Sequence, residues 1–313
     1  MVTIKDIARE SGYSVSTVSR VLNNRNDVSP DARKKIEEVV AKFNFVPNNN
    51  AKHLKQNNSK AIGVLVKGIS NMLFASVVEE IQRMIEKTEY TLVVSYLDED
   101  ADEVEQAILL CRERKPLGLL FLGGNPEYFK KEFAQVDVPC VLVTNLADQM
   151  DFPNLSSVAT DDIAAAKCAV DALFDAGHTK IGILGGDIEK SYTSHQRFIG
   201  CQQSFLEHDT VFVPEKSYEK ARFSYDSAYR GMKRLIARCP DITAVFAMSD
   251  VMAIGAIRAL RDLEYRVPED VSVIGFDGTA LAEYYNPKLA TIKQQYQTLA
   301  TRSVEILFGQ IEL

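Results

Sequence analysis

Residues 3–24 read TIKDIARESGYSVSTVSRVLNN. Thr3 precedes an amphipathic stretch, Ile4 to Glu10, and its hydroxyl is placed to cap the first amides, with Asp6 three residues on. The run ends near Gly12, a residue suited to a tight turn between helices. A second short helix is expected from Val15 to Leu22, with Ser14 as its N-cap. Val18, Val21 and Leu22 recur at i, i+3 and i+4 and form one apolar stripe, expected to pack on Ile4, Ile7 and Ala8. The opposite face then presents Val15, Ser16, Ser19 and Arg20. A third helix opens at Ser29-Pro30, a hydroxyl cap followed by proline at the first helical position. Its expected buried stripe is Ala32, Ile36, Val39, Val40 and Phe43.

Three short helices joined by a glycine turn compose an all-α helix-turn-helix head over residues 1–46, whose second helix would enter a major groove. In that position Arg20 suits a bidentate pair with guanine, Val15 a thymine methyl and Ser16 a base edge. Thr3, Ser14, Thr17, Asn23 and Ser29 are small donors suited to phosphates, which set register and carry little sequence information. The plainer alternative is a helical bundle with a solvated polar face. Charge favours the nucleic-acid reading: the first sixty residues hold eleven Lys/Arg against six Asp/Glu, whereas the whole chain carries −7. A basic end on an acidic body suits a polyanionic partner.

Pro47 closes the head by removing an amide donor and biasing its predecessor towards extended geometry. Residues 47–60 are then polar and asparagine-rich, too polar to bury a surface of their own, and read as a linker. Leu54 is the single large apolar side chain within it.

From Ala61 the pattern changes to apolar runs alternating with amphipathic segments. Strands are expected at Ile62–Val66, Leu92–Val94, Leu117–Leu122 and Val141–Val143, with helices around Ala75–Lys87, Glu103–Arg114 and Glu127–Phe133. A second set runs from a helix at Asp161–Phe174 through strands Ile181–Leu184, Ala244–Ala247 and Val271–Phe276. Its helices are Ser194–Leu206, Ser227–Ile236 and Val251–Leu263. Repeated β-α units predict parallel sheets covered on both faces. Two sets predict two lobes, about 61–158 plus 292–313 and about 159–291. Ligands of such sheets bind beyond the carboxyl ends of the strands, so the cleft between lobes is the expected small-molecule site.

Other classes fare worse. The glycines at 182, 185 and 186 follow a strand but do not spell GxGxxG, and neither a Walker A lysine motif nor a GxSxG elbow is present. No His/Asp/Glu cluster has metal-ligand spacing. Catalytic residues, metal and cofactor are therefore all expected to be none. No apolar run approaches the ~18 residues of a membrane span, and the N-terminus lacks the pattern of a secretory signal. A transporter's solute receptor would need such a signal. Cys111, Cys140, Cys168, Cys201 and Cys239 are scattered, which suits buried thiols in a reducing cytosol.

The stretch quoted above, with VSPDARKKIEEVVAKFNFVPN at 28–48, resembles the head of the LacI/GalR repressor family. The likeness continues in DDIAAAKCAVDALFDAGHTKIGILGG (161–186), FAMSDVMAIGAIRAL (246–260) and VPEDVSVIGFDGTALAEYYNPKLATI (267–292). The resemblance implies a periplasmic-binding-protein-like core of two parallel doubly wound sheets behind the head, over residues 61–313. It implies base reading by Val15, Ser16 and Arg20. It also implies that residues 47–60 become a helix on operator DNA, where Leu54 wedges into a base step and Ala51 permits close approach, although Leu54 packing on the core stays open. The arginine of an RxxG segment and the aspartate of a GFD turn, here Arg197 and Asp277, are frequent effector contacts in that family. Phe74 and Phe223 stand where aromatics stack on ligand, and Asn71, Asp161, Thr193 and Ser249 are weaker candidates that suit structural capping equally. Met72-Leu73 departs from the proline-aromatic pair usual before that phenylalanine. The family's members usually continue beyond the equivalent of Leu313, and no leucine heptad is present here. A homodimer on a near-palindromic operator, controlled by a carbohydrate or sugar phosphate effector, is therefore expected in the cytoplasm.

Overall fold

The computed structural model describes residues 4–22, 25, 27–43, 60–148 and 150–312. The chain divides into two compact units between Ser59 and Lys60.

In the first unit, helices α1 (Ile4–Ser11), α2 (Val15–Leu22) and α3 (Pro30–Lys42) surround a small core. Ile7, Ala8, Val18, Val21 and Ile36 form that core, with Tyr13, Leu22, Val28, Val39 and Val40 packed around it. Gly12 has φ +73°, the left-handed geometry that ends α1 without a Cβ penalty. Ser29 caps α3 as expected, its hydroxyl accepting the Ala32 amide at 3.4 Å. Phe43 departs from the expected stripe. It is the C-cap of α3 and is 37% exposed, with the Lys42 ammonium 5.4 Å from its ring centre.

The second unit holds two parallel sheets, each five-stranded among the described residues. The first uses β1 (Ala61–Lys67), β2 (Thr91–Leu97), β3 (Gly118–Leu122), β4 (Cys140–Val143) and β5 (Leu155–Val158) in the order β2-β1-β3-β4-β5. Helices α4 (Met72–Ile85), α5 (Glu103–Arg114) and α6 (Pro126–Glu132) connect its strands. The second sheet uses β6 (Ile181–Gly185), β7 (Tyr218–Lys220), β8 (Ala244–Ala247), β9 (Ser272–Asp277) and β10 (Ala290–Lys293) in the order β10-β9-β8-β6-β7. Its helices are α7 (Asp162–Asp175), α8 (Tyr192–Glu207), α9 (Pro214–Ser217), α10 (Tyr225–Arg238), α11 (Asp250–Asp262) and α12 (Ala280–Tyr284). Counted from the first strand of each lobe, both sheets run 2-1-3-4-5, so each reverses direction beside its own first strand. That reversal is where an open α/β sheet leaves a crevice.

The chain crosses between lobes after β5 and again after β10. The last helix, α13 (Tyr296–Ile311), returns to pack Leu299, Ala300, Val304 and Leu307 into the first lobe's core with Val77, Val78 and Ile81. Thr160 and Gln294, one in each crossing, are joined by a 2.7 Å hydrogen bond from the threonine hydroxyl.

All five cysteines are free thiols. Cys140 and Cys201 are buried, but Cys168 is exposed: it falls off the stripe of Ala166, Ala169, Val170 and Leu173 that α7 turns inward. No helix among the described residues is long and apolar enough to cross a membrane.

Candidate functional site: an inter-lobe cleft and an exposed helix

A cleft of about 450 Å³ lies at the carboxyl ends of the strands, lined from both lobes. This is within the size range of small-molecule sites. In the first lobe β1 delivers Lys67, whose ammonium is paired with the buried Glu103 of α5 and lies 4.6 Å from the Tyr128 ring centre. Burial pushes the Glu103 carboxyl up, while Lys67 and the Asn125 amide pull it down.

The second lobe repeats the arrangement with an arginine. Arg197 on α8 donates from Nε to Asp162 at 2.9 Å and from one terminal nitrogen to the Met248 carbonyl at 2.5 Å. Its guanidinium carbon sits 3.7 Å from the Phe276 ring centre, within cation–π range. Gly200, one turn along α8, makes this reach possible. A Cβ there would stand 2.2 Å from the Ile163 carbonyl oxygen, so only glycine lets α8 approach α7 so closely.

Two phenylalanines face the cleft from glycine seats. A Cβ on Gly123 would meet the Phe74 ring at 3.3 Å, and one on Gly186 would meet Phe223 at 2.7 Å. Contacts also bridge the lobes. Arg222, just after β7, donates to Asp98 at 2.6 Å and to Glu99 at 2.7 Å in the loop after β2. The Phe223 amide donates to Glu99 at 3.3 Å, and the Thr193 hydroxyl to Asn145 at 3.2 Å.

Of the effector contacts expected from sequence, Phe74, Arg197, Phe223, Asn71 and Thr193 line the cleft together. Asn71 also caps α4, accepting the Leu73 amide at 3.0 Å. Asp161 and Ser249 stand outside the lining and act as helix caps, accepting the Ala164 and Met252 amides at 3.0 and 3.2 Å. Asp277 lies behind the lining, fully enclosed. Gln294 donates to its Oδ1 at 2.8 Å, and its Oδ2 is buried with no partner. Burial pushes the carboxyl up to about 7, against the pull of Arg197. Lys67, Tyr128, Asn145, Glu99, Arg222 and Gln294 also line the cleft and are not among the contacts expected from sequence. Lys67 and Gln294 directly follow or end strands, a position signal that could have found them. Arg222 and Glu99 are more than a hundred residues apart and carry no local signature.

In the head, α2 turns its expected face outward. Val15 is 42% exposed, and Ser16 and Arg20 are exposed beside it. The Arg20 guanidinium is 3.8 Å from the Asp27 carboxylate, with both side chains largely in solvent. Ser14 receives the Thr17 amide at 3.2 Å and shares hydroxyl contacts with Ser16 at 2.7 Å and Thr17 at 2.9 Å. Ser14, Thr17 and Ser29 are thus partly occupied by capping. Thr3, Asn23, Ala51 and Leu54 lie outside the described residues.

Known proteins match this pattern from end to end. Residues 3–48 match the family described as bacterial regulatory proteins, lacI family, and residues 170–312 a periplasmic binding protein-like domain. The HTH-type transcriptional regulator MalR of Clostridium butyricum is 38% identical over 98% of this chain and 92% of its own length. The ribose operon repressor of Haemophilus influenzae is 31% identical over 100% of this chain and 92% of its own. Among solved structures, the lac repressor dimer bound to operator and the anti-inducer ONPF superposes with TM-score 0.75. It is 26% identical and covers 99% of this chain and 93% of that one. The chain belongs to the LacI family of bacterial regulatory proteins.

Proposed function

We propose that this regulator is a cytoplasmic, homodimeric repressor, without catalytic activity, whose affinity for a near-palindromic operator is controlled by a carbohydrate-class effector bound between its lobes. Val15, Ser16 and Arg20 read bases. Thr3, Ser14, Thr17, Asn23 and Ser29 hold phosphates, and the segment with Ala51 and Leu54 engages the minor groove. In the cleft, Phe74 and Phe223 offer faces for a sugar ring. Arg197 and Asn71 supply hydrogen bonds, with Thr193 beside them, and Asp277 supports them from behind. Asp161 and Ser249 serve the site through the helices they cap.

The observation that carries this reading is that one cleft draws its lining from both lobes, while the lobes already touch through Arg222 and Thr193. A molecule bound there contacts both halves, so its affinity depends on the angle between them. A ligand shifts a two-state equilibrium only through such a difference in affinity. A relative named ribose operon repressor, and a structural neighbour holding operator, support the partners. The test is operator binding by fluorescence anisotropy on the full-length chain. Affinity should fall steeply with salt as counterions are released. Arg20→Ala should cost ~1–3 kcal/mol and relax preference at one base pair. An unchanged affinity and an unchanged preference in that variant contradict the assignment of α2.

A further inference from the structure

The aromatic face of the second lobe stands on a slight support. β7 is three residues long and lies at the edge of its sheet, and Phe223 follows it in the segment that leads to α10. A short edge strand makes few bonds that could fix what comes after it. Residues 221–224 carry four backbone amides, and three of them find partners inside the second lobe. Ala221 donates to the Gly185 carbonyl at 2.8 Å, Arg222 to the Ser227 hydroxyl at 2.9 Å and Ser224 to the Arg222 carbonyl at 2.7 Å. The fourth, that of Phe223, donates to Glu99 Oε2 in the first lobe at 3.3 Å.

Glu99 comes from a loop braced by its own bonds. The Gly68 amide donates to the Leu97 carbonyl at 2.9 Å, the Asp100 amide to Asp98 Oδ1 at 3.0 Å and the Ala101 amide to the Asp98 carbonyl at 3.1 Å. The Asp100 amide, and after it Arg222, hold the Asp98 carboxyl below its usual range. Both acids reach the same guanidinium, but their settings differ. The Asp98 and Arg222 side chains are 63% and 49% exposed, an ordinary surface pair, whereas Glu99 is 26% exposed. Glu99 also uses both oxygens, Oε1 for Arg222 Nε at 2.7 Å and Oε2 for the Phe223 amide. Hydrogen bonds to a carboxylate are stronger than neutral ones, so Glu99 is the member of this cluster that fixes the backbone under the ring.

We infer that Glu99 is a positioning residue of the effector site: with one oxygen on Arg222 and the other on the Phe223 amide, it lets the first lobe hold the second lobe's aromatic wall in place through contacts of the chain with itself. A wall held in this way loses less freedom when a ligand is seated against it, which raises affinity without a further contact. The role of the Phe223 ring rests on the carbohydrate reading above; the clasp under it does not.

The experiment is amide hydrogen exchange on the full-length protein without added sugar, comparing wild type, Glu99→Ala and Glu99→Gln. The Phe223 amide should exchange about fivefold faster in Glu99→Ala, as loss of one hydrogen bond of ordinary strength allows. Glu99→Gln keeps one acceptor oxygen and should fall between the two, and the amides of β6 (Ile181–Gly185) should be unchanged in both variants. A Phe223 amide indifferent to Glu99→Ala overturns the inference. So does an acceleration shared equally by β6, because a clasp acts locally. Calorimetry with glucose, ribose, maltose and cellobiose adds the functional arm. The best-binding sugar should bind at least about threefold more weakly to Glu99→Ala, with part of that loss recovered in Glu99→Gln. Equal affinity in wild type and Glu99→Ala overturns the positioning role. Absence of binding by every sugar sinks the carbohydrate reading, while the exchange rates still decide whether Glu99 holds Phe223.

Discussion

The two lobes solve one problem with different cations. Each sheet reverses beside its first strand, and each places there a basic side chain paired with a buried carboxylate and laid over an aromatic ring. Lys67 is a point charge on a flexible stem, 10% exposed, and its ammonium can swing away from its partner. Arg197 is a planar fork, 5% exposed and always charged, which satisfies Asp162 and the Met248 carbonyl from separate nitrogens. The second lobe is therefore the fixed half of the site and the first the more forgiving one.

The largest effect should come from removing the carboxylates. Asp162→Ala strands a buried guanidinium and should cost about 3–5 kcal/mol. Glu103→Ala should cost less, because the flexible Lys67 stem can turn its ammonium to water. Urea denaturation of both variants decides this, and an equal or greater loss for Glu103→Ala breaks the comparison.

Asp277 makes the second lobe pH-sensitive. Its folded carboxyl titrates at about 7, well above the ordinary 3.8, so the folded state binds that proton more tightly than the unfolded chain. Stability from this group is fully present below the unfolded value and is lost as pH rises to about 7, then stays level. The raised carboxyls of Glu103 and Asp162 act in the same direction. Asp277→Asn should flatten that decline, a gain at pH 8 on the order of a few kcal/mol relative to wild type. Denaturation curves from pH 4 to 8 measure it, and an undiminished slope in the variant rules Asp277 out as the source.

The contact joining the lobes should matter least. Arg222 and its acidic partners are mostly half-exposed, and exposed pairs contribute ~0.2–1 kcal/mol each. Arg222→Ala should leave unfolding stability within ~0.5 kcal/mol of wild type while weakening binding of the best-binding sugar about two- to fivefold. The loss should shrink at high salt. Calorimetry at two ionic strengths checks both points.

The same contrasts explain what sequence could and could not reveal. Central strands such as Gly118–Leu122 and Ile181–Gly185 are buried throughout and read as apolar runs. Leu155–Val158, Tyr218–Lys220 and Ala290–Lys293 escaped because they are sheet edges, short and half polar, with too little burial to impose a pattern. Helix Tyr296–Ile311 was legible in its buried Leu299, Ala300, Val304 and Leu307, yet it was not read as an element. Phe43 looked like a core residue because its spacing continued the α3 stripe, but the helix ends just before it. In the site, Arg197 was recognisable only through the family resemblance of its RxxG segment, whose Gly200 the close approach of α8 to α7 explains. Lys67 and Glu103 were not, since a pair separated by thirty-six residues leaves no periodic trace.

The account turns on coupling between the cleft and operator DNA. The direct test measures operator affinity of wild type and Arg197→Ala with and without saturating amounts of the best-binding carbohydrate ligand. Wild type should shift by about 5–150-fold, the usual span of allosteric coupling, while Arg197→Ala keeps its basal operator affinity and shows no shift. A wild-type affinity indifferent to every ligand that fills the cleft would contradict the account.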